Sequence, residues 1–212
     1  TSTVPDDPTE ALERVAGPPG WDLIAVHALL WRMPAERHAA LRDAWAFRLG
    51  DDHADALVRH VAEGGGLLAC HTAPICFDGD ARWRSLLGAS WDWSRSHHPP
   101  RGPATIRPTS AAPHHPITEG IGPFETVDEV YADLDLDEDV EPLLVGEVDG
   151  RAQPVLWARS VGRGRVVVDL LGHDRAAVEH PVHAELLRRA VGWLVDPVPV
   201  GAPAITTSEV AS

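Results

Sequence analysis

The stretch GGGLLACHTA, residues 64–73, decides the fold. Three glycines end the helical period before it. Leu67 to Cys70 is then a short apolar run of the kind buried on both faces of a parallel sheet, and His71 follows at its carboxyl end. Working outward, residues 51–63 read as a helix, with Asp51 and Asp52 in an acidic first turn and Leu57, Val58 and Val61 on one side. Residues 22–28 (DLIAVHA) are a second buried-strand run. Between the two, Pro34 opens a helix whose apolar positions Leu41, Ala44, Trp45 and Leu49 recur at helical spacing. Strand, helix and strand in this order make a βαβ unit, and open parallel sheets take their ligands at the strand carboxyl ends.

Downstream, residues 74–123 are rich in Pro, His and Trp, with one clear helix near residues 80–87. Long irregular segments inside compact domains are usually functional, so this stretch reads as site loops. From Phe124 the chain turns β-rich. Residues 124–132 and 141–147 are strands, Asp149-Gly150 is a hairpin turn, and residues 154–159 form the returning strand. Gly162-Arg163-Gly164 precedes a strand (165–171, RVVVDLL) instead of a helix, so it is a turn and not a phosphate loop. A last helix starts near Pro181 and carries Leu186, Leu187, Val191 and Leu194. Residues 1–195 are expected to form a single domain, and the Pro-, Ser- and Thr-rich residues 196–212 a loose tail.

Composition narrows the chemistry. The chain has 212 residues, 44% apolar and 24% charged, enough to bury a core without a metal or disulfide staple. All 18 basic residues are Arg. With no Lys, a Schiff-base enzyme, a P-loop phosphate lysine and a Ser-Lys dyad are excluded. The net charge of −14 argues against a nucleic-acid partner. No apolar run is long enough for a membrane span, and the first residues carry no signal core. Cys70 and Cys76 have neither zinc spacing nor a disulfide pattern. A cytoplasmic location and a reducing compartment are therefore expected.

Several segments in this order resemble one known family. They are residues 64–73, His115-Pro116-Ile117-Thr118 with Gly120-Ile121, Phe124 with Asp128-Glu129-Val130-Tyr131, residues 154–157, residues 162–166, Leu171-Gly172-His173, and Gly192-Trp193. This succession resembles ThuA-like proteins, a family named for trehalose utilisation within the class I glutamine amidotransferase-like superfamily. The resemblance implies an α/β fold with a flavodoxin-like, mostly parallel sheet flanked by helices and a β-rich C-terminal half. It also implies that a strand–helix unit typical of the family is missing before Thr1.

In the amidotransferases a Cys sits at a sharp strand-to-helix elbow with the pattern GxCxG, and a later His activates it. The resemblance puts His71, not Cys70, at that elbow, and His173 where the activating histidine stands. A His-His pair has no thiolate to offer, so glutamine hydrolysis is disfavoured. Cys70, one residue earlier on the strand, should point into the packing between sheet and helix. Alternation along a strand lets only one of Asp128 and Glu129 face the site, and the resemblance points to Glu129, with Tyr131 on the same face. The candidate catalytic residues are thus His71, His173 and Glu129. Thr72, His98, His115, Asp128, Tyr131 and Trp157 are candidate substrate ligands. His27, His38, His53 and His60 read as structural, and Trp91, Trp93 and Trp157 lie near the site as platforms for sugar rings.

No cofactor is required by this reading. The His-rich loops leave a divalent metal on several His and a carboxylate as an alternative, although no HExxH-type spacing marks one. The expected partner is a small carbohydrate, with a homodimer as the expected assembly. Three functions stay open: acid–base transformation of a sugar or keto-sugar, a non-catalytic sugar-binding or regulatory module, and a Cys70-dependent amidase or amidotransferase.

Overall fold

The computed structural model describes residues 7–17 and 20–196. In chain order, α1 (Pro8–Ala16) and β1 (Leu23–Val26) are followed by α2 (Ala39–Trp45), α3 (Asp51–Ala62), β2 (Gly66–Cys70) and α4 (Ala81–Leu87). Next come β3 (Ala89–Ser90), β4 (Gly102–Pro108), β5 (Phe124–Asp128), β6 (Asp135–Leu136), β7 (Pro142–Val148) and β8 (Arg151–Val161). The described chain closes with β9 (Gly164–Asp169), α5 (Arg175–Val178) and α6 (Pro181–Val195). The loose tail expected after residue 196 lies outside the described residues.

Seven strands form one sheet in the order β1-β2-β9-β8-β7-β4-β5, and β3 and β6 pair separately. The expectation of a mostly parallel sheet is corrected. Only β1–β2 and β2–β9 are parallel, while β9–β8, β8–β7, β7–β4 and β4–β5 are antiparallel. The cause is local. Asp149 and Gly150 both take positive φ (51° and 73°), the geometry of a tight hairpin turn, and Gly162 (φ 61°) opens the next one. Two hairpins in succession force β7, β8 and β9 to alternate in direction.

Alternation along β2 and β9 divides the core into two layers. Leu67 and Ala69 of β2, with Val166 and Val168 of β9, face α1, α3 and α4 through Leu12, Leu57, Val61 and Trp83. Leu68 and Val167 face α6 through Leu186, Ala190 and Leu194. Each fully buried Leu or Val of this set contributes about 1.5–3 kcal/mol of transfer free energy. Where β9 begins, Gly164 is required by close approach: a Cβ there would lie 2.1 Å from the Val61 carbonyl oxygen.

The helix expected after Pro34 is present but short, and it buries none of its residues. Leu41 and Trp45 are 50% and 68% exposed, so their spacing marks an apolar stripe that no other described element covers. Among the described residues no helix is long and apolar enough to cross a membrane.

Strand direction positions the site. Four antiparallel steps separate β9 from β5, so the two strands run the same way and end on the same edge as β2. In a flat sheet β5 would lie roughly 19 Å from β9, four interstrand spacings away. Yet the Asp128 carboxylate, at the end of β5, accepts the Gly172 N–H at 2.7 Å. The sheet therefore curls until the carboxyl ends of β2, β5 and β9 converge.

Candidate functional site

His71 is the first residue beyond β2, and its φ of 45° turns the chain sharply. Its N–H donates to the Asp169 carbonyl at 2.6 Å, which ties the bend to the end of β9. The ring is buried, and Nδ1 lies 3.0 Å from the Leu170 carbonyl oxygen. A carbonyl can only accept, so Nδ1 carries the proton and Nε2 presents a bare lone pair. The Tyr131 hydroxyl sits 3.4 Å from that Nε2. Burial, the dominant effect, pushes the His71 pKa below the ordinary imidazole value. The opposing influences are the Leu170 hydrogen bond and the charges of Asp128 and Glu129.

Glu129, just past β5, lies at the centre of the cluster. Its Oε2 is 3.1 Å from His173 Nδ1 and 4.0 Å from His71 Nε2, and its Oε1 is 3.6 Å from His98 Nδ1. The His71 and His173 rings meet edge to face with centroids 5.4 Å apart. Paired N–H···O bonds between His97 and Ala132 hold the preceding loop, and His98 then lies against Tyr131, centroids 5.4 Å apart. Trp91 packs edge-on to both Tyr131 (5.4 Å) and His98 (6.2 Å). Beyond it Trp93 stacks on Trp31 at 4.7 Å. Tyr131 is buried, and desolvation followed by the charges of Glu129 and Asp128 pushes its hydroxyl pKa upward, so it stays a donor.

Other expected site residues stand elsewhere. Asp128, expected also as a substrate ligand, is enclosed, and its carboxylate accepts the N–H groups of Glu129 (2.8 Å), Gly172 (2.7 Å) and His173 (3.2 Å). It therefore positions the cluster from behind. Thr72 donates its hydroxyl to the Ala28 carbonyl at 2.7 Å and so fastens the exit of β1 to the bend. Trp157 is corrected: it is fully buried beneath α4 and donates Nε1–H to the Leu87 carbonyl at 2.9 Å, with no face toward the cleft. His115 is corrected as well. It packs on Trp193, centroids 4.9 Å apart, beside the end of α6, where Leu194 meets the start of β2. That is the opposite edge of the sheet from His71. Asp174, which follows His173, caps α5 through the Ala177 N–H and pairs with Arg101 at 2.6 Å.

The thiols do not serve this site. Cys70 points toward the α6 layer, and burial, reinforced by Asp169, pushes its pKa up to about 12. Cys76 is buried, with its thiol likewise pushed up to about 12. His27, expected to be structural, is corrected: it is exposed, follows β1 as His71 follows β2, and its ring lies edge-on to His71 at 6.3 Å; its place at a strand carboxyl end was the available signal. His183 of α6 is buried with Nε2 2.8 Å from Asp169 Oδ2, and it sits in the helix's apolar stripe with no local motif to mark it.

A neutral imidazole, a carboxylate and two further imidazoles gathered at one edge of the sheet, with His98 and His173 partly exposed, can exchange protons with hydroxyls or with carbon next to a carbonyl. An aromatic wall suits the C–H faces of a sugar ring.

The family model for ThuA, trehalose utilisation, matches residues 42–194. Among curated protein sequences, none matches. Of solved structures, a ThuA-like protein from Parabacteroides merdae is similar with a TM-score of 0.64 and 17% identity, over 88% of this chain and 76% of that one. A cytoplasmic protein from Salmonella typhimurium LT2 is similar with a TM-score of 0.56 and 15% identity, over 82% and 72% of the two chains. A β-galactosidase from Rahnella sp. R3 shares the fold with a TM-score of 0.54 and 14% identity, over 82% of this chain but 22% of the enzyme.

Proposed function

The chain belongs to the ThuA family, and from that premise we propose that the cleft at the ends of β2, β5 and β9 binds a carbohydrate and transforms it by imidazole–carboxylate chemistry without a cysteine nucleophile. The observation that carries this reading is Glu129, with carboxylate oxygens 3.1–4.0 Å from the nitrogens of His173, His98 and His71. Glu129 fixes the two catalytic imidazoles and His98 reaches the opening. Partly exposed Trp91 supplies the apolar surface on which a sugar ring rests, and Tyr131, buried behind it and so corrected as a direct ligand, backs that surface. A ketone-bearing disaccharide suits the cluster, because a ketone acidifies the neighbouring C–H bond enough for imidazole to act on it. The parallel β1–β2–β9 segment corresponds in this reading to the amidotransferase-like part of the fold, with His71 in place of its thiol. A cytoplasmic location belongs to the same reading, supported by two free thiols and by the similar Salmonella protein.

The test is a thermal-shift screen of the full chain against trehalose, other disaccharides and their keto derivatives, followed by chromatography of incubated ligands. Stabilisation with chemical conversion, lost in Glu129→Gln, is the expected result. Stabilisation with ligands recovered unchanged would make the protein a sugar-binding module. No response from any sugar would overturn the reading.

A further inference from the structure

We propose that His71 Nε2, His173 Nδ1 and a Glu129 carboxylate oxygen together form a binding site for one divalent transition-metal ion. The inference deepens the reading above in that it names what the same three side chains hold, and it stands on their geometry. The three donor atoms lie within 4.8 Å of one another. An ion held about 2.0–2.2 Å from each donor at tetrahedral or octahedral angles sets the donors ~3.0–3.5 Å apart. His173 Nδ1 is already 3.1 Å from Glu129 Oε2, and the 4.0 Å between Oε2 and His71 Nε2 closes with small side-chain rotations.

The surroundings are arranged as they are around metal ligands. His71 donates Nδ1–H to the Leu170 carbonyl, the outer hydrogen bond that fixes a ligating ring and leaves the other nitrogen bare. Asp128 accepts the backbone N–H groups of both Glu129 and His173, so two of the three ligands are set by one buried carboxylate. Two imidazoles and a carboxylate select zinc-like or ferrous-like ions over magnesium or calcium, which favour oxygen ligands alone. Among the described residues no fourth His, Cys, Asp or Glu joins these three within the same 4.8 Å, and this leaves coordination positions for oxygens of a sugar. With the ion in place His71 and His173 are ligands, and His98, 3.6 Å from the outer Glu129 oxygen, is the nearest imidazole left to carry a proton.

The experiment is a titration of the chelator-treated full chain with Co(II), read by visible absorption, then by displacement with Zn(II). The expected result is a d–d spectrum that saturates at one equivalent and is bleached by Zn(II). Affinity should fall in Glu129→Gln and in His173→Ala by more than the ~10–100-fold that changes behind the ligands cost. It should be kept in His115→Ala, at the far edge of the sheet, with circular dichroism checking that each variant is folded. No saturable spectrum in the wild-type chain, or an unchanged one in folded Glu129→Gln and His173→Ala, would overturn the site. Running the sugar screen on loaded and chelated protein separates the two claims. Sugar binding without Co(II) binding sinks the metal and keeps the carbohydrate, and Co(II) binding with no sugar response does the reverse.

Discussion

The Asp128 carboxylate accepts the backbone N–H of His173 at 3.2 Å, across a curled sheet in which their strands β5 and β9 are four places apart. The same carboxylate takes the Gly172 N–H at 2.7 Å and the Glu129 N–H at 2.8 Å. One buried side chain thus holds the backbone of two cluster members in register. Asp128→Asn keeps the shape but replaces an acceptor oxygen with a donor, so at least one of these N–H groups loses its partner. The expected cost is about 1–3 kcal/mol in urea unfolding. Ligand response in the sugar screen should fall about tenfold or more, because His173 is no longer fixed. Full ligand response in a destabilised Asp128→Asn chain would show that Asp128 serves the fold alone.

The His71 ring should titrate below the ordinary imidazole value, because burial opposes its protonation more than the Leu170 carbonyl, Asp128 and Glu129 favour it. His173 adds to the downward push, while His27 and Tyr131 fill the remaining sides of the ring. The folded chain thus binds the proton less readily than the unfolded one. This group's contribution to stability is then present above the unfolded value and is lost as pH falls through the folded one. Any activity that needs neutral His71 should rise with pH, with its midpoint below that of an ordinary imidazole. Glu129→Gln removes one of the charges that favour protonation, so the midpoint should move lower still. Nitrogen-detected NMR of the imidazoles reads this directly without substrate, and an upward shift in the variant would contradict it.

Much of this arrangement was legible in the chain. The Gly-rich helix exit, the run Leu67 to Cys70 and the bend at His71 are local features, fixed by periodicity and by the one-residue alternation that separates Cys70 from His71. The resemblance pairs Glu129 with Tyr131, although the strand expected over residues 124–132 ends at Asp128 and both lie just beyond it. What failed depends on long-range placement. Both hairpin turns are visible at Asp149-Gly150 and at Gly162, and they already imply antiparallel neighbours; the mostly parallel expectation came from the family resemblance, with only the βαβ unit of the first half behind it in the residues. Trp157 is set by the register of β8 against β9, opposite Val168, which sends its ring under α4. The position of His115 follows from packing on Trp193, and its motif carries no sign of which sheet edge it joins.

His183 and Asp169 make a buried pair beneath the bend, with Nε2 and Oδ2 2.8 Å apart. Burial alone would lower the His183 pKa, but the Asp169 charge and hydrogen bond, with the Ala177 carbonyl, outweigh it and raise the pKa to about 9. A raised base stabilises the fold fully below its unfolded value of about 6.5, and that stability is lost as pH rises through the folded value. Urea unfolding should therefore show stability from this pair at pH 6 that is gone by pH 10. His183→Ala leaves Asp169 buried without its partner and should cost about 3–5 kcal/mol. It should also loosen His71, whose N–H is held by the Asp169 carbonyl. A variant as stable as wild type at pH 6 would show that His183 is neutral there.

The Cys70 thiol tests the remaining alternative, a cysteine-dependent amidase. Nucleophilic attack requires thiolate, and burial beside Asp169 pushes this thiol up to about 12. Against an ordinary cysteine near 8.5, that leaves on the order of a thousandfold less thiolate at pH 8. Iodoacetamide should accordingly modify the native chain very slowly at both Cys70 and Cys76, and rapidly only in denaturant, which mass spectrometry of the intact protein resolves. Cys70→Ser should leave sugar binding and conversion within about twofold of wild type, since the side chain packs toward α6 and away from the Glu129 cluster. Fast alkylation of native Cys70 that abolishes hydrolysis of glutamine or another amide would reverse the assignment. The thiol would then have to swing from the α6 layer to the cleft, and the bend at His71 would be the place where the chain changes course.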